Sequence, residues 1–211
     1  MTNFKIQIIS DTICPWCYVG YRRLSRAITA HTSKNPQDTF TLTWNAFYLN
    51  PASPEFPGVN KAEMYAVKFG PERGGYLLPS LCQEAKRANS NVPAPPSASG
   101  AGAGSPVVGG LQTRVAEKLF RAYFEDEKNI TDPRVLLEAG VEAGLDREEV
   151  KKLLDSEEGG AEVDSEAKTA SRRLVTGVPY FSIQGKYSVE GADEPETFLE
   201  VFEQVKEDEN V

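Results

Sequence analysis

A chain of 211 residues, 40% hydrophobic and 26% charged, can bury one substantial core or one core carrying a sizeable insertion. Its formal net charge of -8 argues against nucleic acid and anionic membranes as partners, since both select basic surfaces. No apolar run approaches the ~20 residues that span a bilayer, so a membrane is not an expected partner either.

The first element is a strand from Phe4 to Ser10, "FKIQIIS". Phe4, Ile6 and Ile8 alternate with Lys5 and Gln7, while Ile9 marks a second covered face. A helix from about Pro15 to Ala30 follows, with Cys17, Gly20, Leu24, Ala27 and Ile28 at helical spacing. The stretch "FTLTWNAFYL", Phe40 to Leu49, is rich in Thr and aromatics and reads as a second strand. Together they form a βαβ unit whose helix starts at "CPWC". In the middle of the chain, "NSNVPAPPSASGAGAGSPVVGG", from Asn89 to Gly110, lacks large apolar side chains and reads as a flexible loop over about 90–110. Helices are expected from Arg114, from Pro133 behind an Asp132 cap, from a capping box at Asp146 and Glu149, and from Glu158 to Leu174. Gly144 ends the second of these. "PYFSI" and "KYSVE" flank Gln184-Gly185 as a hairpin. A last helix from Pro195 to Lys206 presents Phe198, Leu199, Phe202 and Val205 on one stripe, before an acidic tail expected to fray.

"MTNFKIQIISDTIC" shows no basic segment followed by an apolar run and a cleavage site, so the expected location is cytoplasmic. The three cysteines are too few for a disulfide scaffold, and a close pair in a reducing compartment points to catalysis or metal binding. Residues three apart on a helix are neighbours, so Cys14 and Cys17 can close a disulfide. The unpaired N–H groups at the helix start stabilise a Cys14 thiolate, and Pro15 fits a first turn that needs no N–H there. Cys17 shares the stripe of Leu24 and Ala27, which makes it the more buried, resolving thiol. Structural zinc needs about four ligands, and only Cys82 and His31 remain as soft donors, so no metal is expected. Two inert core thiols are the remaining alternative. Cys82 reads as a packed thiol on a helix, His31 as a surface residue, and Arg22 and Arg23 as solvated.

The segment "TGVPYF", Thr176 to Phe181, puts Pro179 at a strand start, where an edge, a bulge or a cis turn would each accommodate it. A cis bond would leave the Val178 backbone free to pair with an extended substrate beside Cys14.

Taken together, "DTICPWCYVG", "WNAFYLNP", "KFGPERG", "LFRAYFEDEKNITDP", "TGVPYF" and "GADEPETFLEVF" resemble the DsbA-like branch of the thioredoxin superfamily, including the FrnE-type proteins. The resemblance implies an α/β thioredoxin-like fold with an inserted helical domain. Residues 1–60 and 175–211 would form the thioredoxin-like part and residues 61–174 the insertion. It implies that Cys14 attacks, that Cys17 resolves the mixed disulfide, and that Pro179 is a cis-proline facing them. Pro15, Trp16, Val178 and Pro179 would contact the substrate. The expected activity is thiol–disulfide oxidoreductase or isomerase, acting on protein or small-molecule thiols. No cofactor would be bound; glutathione could serve as co-substrate, and glutathione or thioredoxin would recycle the pair. Such proteins of strongly oxidising type carry His where this chain has Trp16, which implies a less oxidising pair here. A sister branch, the kappa-class glutathione transferases and hydroxychromene-carboxylate isomerases, uses glutathione with Ser at the place of Cys14. A glutathione-dependent transferase or isomerase is therefore one alternative, and holdase-like binding of unfolded protein is another.

Overall fold

The alternation read at the N-terminus makes β1 (Asn3–Ser10), with Phe4, Ile6 and Ile8 buried on one face. The computed structural model describes residues 1–55, 57–72, 80, 83, 107–108, 110–172 and 175–209. Pro15 opens α1 (Pro15–Lys34), which ends where the Asn35 N–H bonds the His31 carbonyl at 2.8 Å. β2 (Thr39–Ala46) follows, and α2 (Lys61–Phe69) starts at Asn60, whose side chain accepts from the Ala62 and Glu63 N–H groups. A short β3 (Val107–Val108) precedes α3 (Gly110–Phe124). Asp132 caps α4 (Pro133–Glu142), which closes before Gly144 at φ +100°. Asp146 caps α5 (Arg147–Leu154), and α6 (Gly160–Arg172) follows. The chain ends with β4 (Tyr180–Ile183), β5 (Tyr187–Glu190) and α7 (Pro195–Glu209).

The strands form one sheet in the order β3-β2-β1-β4-β5. β1 and β2 are parallel, with Ile6 opposite Leu42 and Ile8 opposite Trp44. β4 runs antiparallel to β1, with Phe181 opposite Ile8, and β5 is antiparallel to β4. The β4–β5 turn has Gln184 at φ +54° and Gly185 at φ +65°, with the Lys186 N–H bonded to the Ile183 carbonyl at 3.1 Å. On one face of the sheet α1 and α7 cover the core, where Phe4 stacks on Phe40 at 4.7 Å and meets Phe202 at 5.0 Å. On the other face Ile9 packs with Ala170 of α6 and with Val175. β1 is thus covered on both sides where it ends, and its last residues lead directly to the cysteine pair. The result is an α/β thioredoxin-like fold with helices inserted between β2 and β4.

Several expectations are corrected. The 90–110 stretch is not loop throughout: Val107 and Val108 pair with Phe40 and Thr41 as β3, and α3 begins at Gly110 instead of Arg114. Two adjacent β-branched residues suit a short edge strand, and the surrounding glycines hid them. β2 ends at Ala46, where the Glu166 carboxylate takes the Ala46 N–H. His31 is not on the surface but 1% exposed, one turn beyond Ala27 and Ile28 on the buried face of α1. Its ring sits edge-on to Phe4, Phe40 and Phe202, and Nε2 lies 3.0 Å from Asp38 Oδ2. Arg22 is buried as well, 3.3 Å from both the Glu117 carboxylate and the Tyr18 hydroxyl. Arg23 is bonded to Glu194 at 2.6 Å and to the Ala192 carbonyl. The acidic tail continues α7 to Glu209, because Asp208 engages Lys186 and Tyr187 and Glu209 accepts from the Thr2 hydroxyl. Cys82 lies outside the described residues.

Candidate active site

β1 and β4 end side by side, and the site forms where the chain leaves one and enters the other. Cys14 is the N-cap of α1, extended at φ -87° and ψ 113°, with Pro15 in the first turn. Its carbonyl accepts from the Cys17 N–H at 3.1 Å and the Tyr18 N–H at 3.4 Å, so the first helical bonds run through the cysteine itself. The Val178–Pro179 peptide is cis, and the Val178 carbonyl lies 3.6 Å from Cys14 Sγ. That contact joins the two motifs, 164 residues apart in sequence.

Gly20 makes this approach possible. A Cβ there would sit 2.9 Å from Pro179 Cγ, 3.2 Å from Phe181 Cζ and 3.3 Å from Ala192 Cα. Any larger residue would push α1 away from the Pro179 turn. In the sequence Gly20 looked like one more member of an apolar stripe.

Both cysteines are free thiols and both are buried, at 4% exposure for Cys14 and 1% for Cys17. The Cys17 thiol, donating toward Cys14, holds the Cys14 thiol below its ordinary range. The Cys17 and Trp16 backbone N–H groups act in the same direction, against burial and the nearby Asp11 carboxylate. Burial pushes the Cys17 thiol well up, and the adjacent Cys14 adds to this. The two thiols are therefore unequal: the surroundings favour the thiolate at Cys14 and the thiol at Cys17. Pro15 is buried in the first turn, whereas Trp16 is half exposed at the rim.

Asp11 was not singled out from the sequence. Its carboxylate accepts from the Ile13 N–H at 3.1 Å and the Leu49 N–H at 2.9 Å, and its carbonyl accepts from the Cys14 N–H at 3.0 Å. The signal available was its place in "SDTIC", an acidic residue in the short turn before a cysteine pair. Two clefts flank the pair. One, of 290 Å³, is lined by Thr176, Gly177, Val178 and Pro179 with Glu190. The other, of 540 Å³, runs from Asp11 and Thr12 past Trp44 and Phe47 to Leu119 and Val163. Among the described residues no cluster of His, Cys, Asp and Glu could hold a metal ion. No helix among them is long and apolar enough to cross a membrane.

A fold of this kind with two unequal thiols at a helix N-terminus, facing a proline turn, defines a thioredoxin-like oxidoreductase class. Residues 5–203 match the family model of the DSBA-like thioredoxin domain, and the chain belongs to that family of thiol–disulfide oxidoreductases. Among solved structures, the "probable DsbA oxidoreductase" of Streptomyces coelicolor is 23% identical, with a TM-score of 0.75 over 95% of this chain and 89% of that one. A 2-hydroxychromene-2-carboxylate isomerase is 16% identical, with a TM-score of 0.56 over 98% of each chain. A thioredoxin-like oxidoreductase from Silicibacter pomeroyi is 12% identical, with a TM-score of 0.51 over 97% of this chain and 87% of that one. At these identities the likenesses establish the fold. No curated protein sequence matches the chain.

Proposed function

We propose that the chain is a thiol–disulfide oxidoreductase in which Cys14 is the nucleophile and Cys17 the resolving thiol. The observation that carries this reading is the placement of the pair. Cys14 is the N-cap of α1 with its Sγ 3.6 Å from the Val178 carbonyl, and Cys17 is buried three residues on; their surroundings lower the first thiol and raise the second. The Cys14 thiolate attacks one sulfur of a substrate disulfide, whose other sulfur leaves as a thiolate and takes a proton from solvent. Cys17 then loses its proton and attacks Cys14 Sγ. This forms the Cys14–Cys17 disulfide and releases the second substrate thiol, so two electrons pass from the pair to the substrate. Run backwards, the same steps oxidise a dithiol. The Val178 backbone beside Cys14 supports binding of an extended substrate, with Pro179, Pro15 and Trp16 shaping the approach. No bound cofactor takes part. Glutathione or thioredoxin recycles the pair, and the cytoplasm is the proposed setting.

The test is a redox titration. Protein equilibrated across glutathione ratios is acid-quenched and alkylated, and the modified cysteines are mapped by mass spectrometry. A reversible two-electron transition linking Cys14 to Cys17, lost in Cys14→Ser, is expected. A glutathione adduct that persists on Cys14, with full activity in Cys17→Ser, would instead assign a glutathione-dependent transferase or isomerase. Suppression of client aggregation by Cys14→Ser, with no redox transition in the native chain, would assign a holdase.

A further inference from the structure

Among the described residues lining the two clefts, the charged groups are Asp11, Glu166 and Glu190. The nearest arginines of α1 point elsewhere: Arg22 is engaged by Glu117 and Tyr18, and Arg23 by Glu194 and the Ala192 carbonyl. Asp11 is the member built into the site. Two backbone N–H groups, from Ile13 and Leu49, fix its carboxylate between the turn before Cys14 and the segment after β2. The titratable groups that feel it are Cys14 on α1 and Tyr48 beyond β2, whose hydroxyl donates to Asp164 of α6 at 2.9 Å. Partial burial raises Asp11 itself, against the Leu49 and Ile13 N–H groups that favour its charge. A negative charge held in a partly desolvated position acts over more than contact distance.

We propose that Asp11 is a positioning residue whose carboxylate makes the site select cationic or neutral disulfides over anionic ones. The proposal rests on the oxidoreductase reading and narrows its substrate class to thiols and disulfides carrying basic groups, such as cysteines flanked by Lys or Arg. It also makes glutathione disulfide, which carries more carboxylates than amines, slower than a cationic disulfide of the same intrinsic reactivity. An anion approaching Cys14 meets both the developing thiolate charge and Asp11, whereas a cation is drawn by both.

The experiment uses the reduced full-length chain at pH 7.5 and follows release of small thiol from three disulfides. Cystamine is cationic, hydroxyethyl disulfide is neutral and glutathione disulfide is anionic. Each rate is divided by the rate of the same disulfide with 2-mercaptoethanol, which removes intrinsic reactivity. The normalised rates should fall in the order cationic, neutral, anionic, and the spread should shrink as salt rises. In Asp11→Asn the cationic-to-anionic ratio should drop by roughly threefold or more, the order expected of one unit charge several Å away in water. An equal change in all three rates would mean that Asp11 only holds the loop, and would overturn the proposal. So would a native spread that salt leaves untouched, a result that needs no variant to fold. Reaction of the neutral disulfide at Cys14 keeps the oxidoreductase reading whichever way selection falls. No reaction with any of the three would remove both.

Discussion

At its C-terminal end α1 sets His31 against Asp38, and at its N-terminal end it sets Cys14 against the Val178 carbonyl. The two regions bury comparable polar groups and treat them differently. Asp38 is 3% exposed and fully engaged: Thr2 N–H donates at 2.8 Å, Lys206 Nζ at 2.8 Å, and His31 Nε2 lies at 3.0 Å. These partners tie the residues just ahead of β1 and β2 to α1 and α7, with three aromatic rings packed around the imidazole. Cys14 Sγ has a long contact to the Val178 carbonyl, at 3.6 Å, and the Cys17 thiol beside it, while burial pushes Cys17 up. Asp11 lies next to a thiol whose ionisation it opposes. Saturated burial at one end fixes the register of the sheet. Incomplete pairing of equally buried groups at the other leaves thiols whose charge can still change, which is what disulfide exchange requires.

The largest expected effect breaks the saturated end. Burial works against the Asp38 charge, but Lys206, the Thr2 N–H and His31 overcome it and hold the carboxyl down at about 2. A carboxyl depressed in the folded state contributes stability above its unfolded value of 3.8, and that stability is lost as pH falls toward about 2. Its size at neutral pH is on the order of 2 kcal/mol. Asp38→Asn also takes the opposite charge from Lys206, which keeps its bond to Asn35 Oδ1 at 2.7 Å, and should cost about 2–3 kcal/mol, lowering Tm by roughly 5–10 °C. In acid titration from pH 5 to pH 2 the gap between native and variant stability should close. The rate of Cys14 alkylation should not move. A fall in that rate would mean that the two ends of α1 act as one unit.

The legibility of the two ends differed for a physical reason. The thiol end was readable because its chemistry is local: two cysteines and a proline within one turn, after a strand, need little context to interpret. Pro179 was readable as special, yet from the residue alone an edge, a bulge and a cis bond all stayed open, the cis bond as the rarest of them. The choice depends on what packs against it, and Gly20, 159 positions earlier, leaves room for it. The saturated end was misread because each of its groups is unremarkable alone. His31 follows Leu24, Ala27 and Ile28 at helical spacing, so the stripe was visible. A polar residue on a stripe is buried only if a partner meets it, and Asp38 and Lys206 come from distant segments. Arg22 was missed likewise, since Glu117 approaches it from α3. Val107 and Val108 were hidden by their glycine-rich surroundings, and only pairing with β2 identifies them as a strand.

A middle-sized effect should appear where the site depends on fit. Glycine inside a helix costs about 1 kcal/mol relative to alanine, so Gly20→Ala would ordinarily stabilise α1. Here the added methyl meets the Pro179 ring at 2.9 Å and the Ala192 backbone at 3.3 Å, neither of which can swing aside. The expected outcome is a net loss of about 1–2 kcal/mol from overpacking. Displacing Pro179 also moves the Val178 carbonyl from Cys14, so mixed-disulfide formation should slow several-fold. Unlike Asp38→Asn, this variant should lower stability and reactivity together. A variant that is more stable and equally reactive would show that the Pro179 turn yields without consequence.

The smallest effect is electrostatic and belongs to the rim. Trp16 follows Pro15 in the first turn of α1 and is 46% exposed, so a replacement there changes the surroundings of Cys14 without opening the core. In Trp16→His the new imidazole gains a positive charge below its ordinary pKa of about 6.5. The charged ring favours the Cys14 thiolate over the disulfide, which makes the pair more oxidising. At pH 6 the redox midpoint should shift by a few-fold in the glutathione ratio. At pH 8, with the ring neutral, it should return close to the native value. Exposure leaves the charge open to screening, so 0.5 M salt should erase much of the shift at pH 6. A shift of equal size at both pH values would come from lost indole contact instead of charge, and Trp16 would then be a surface for substrate only.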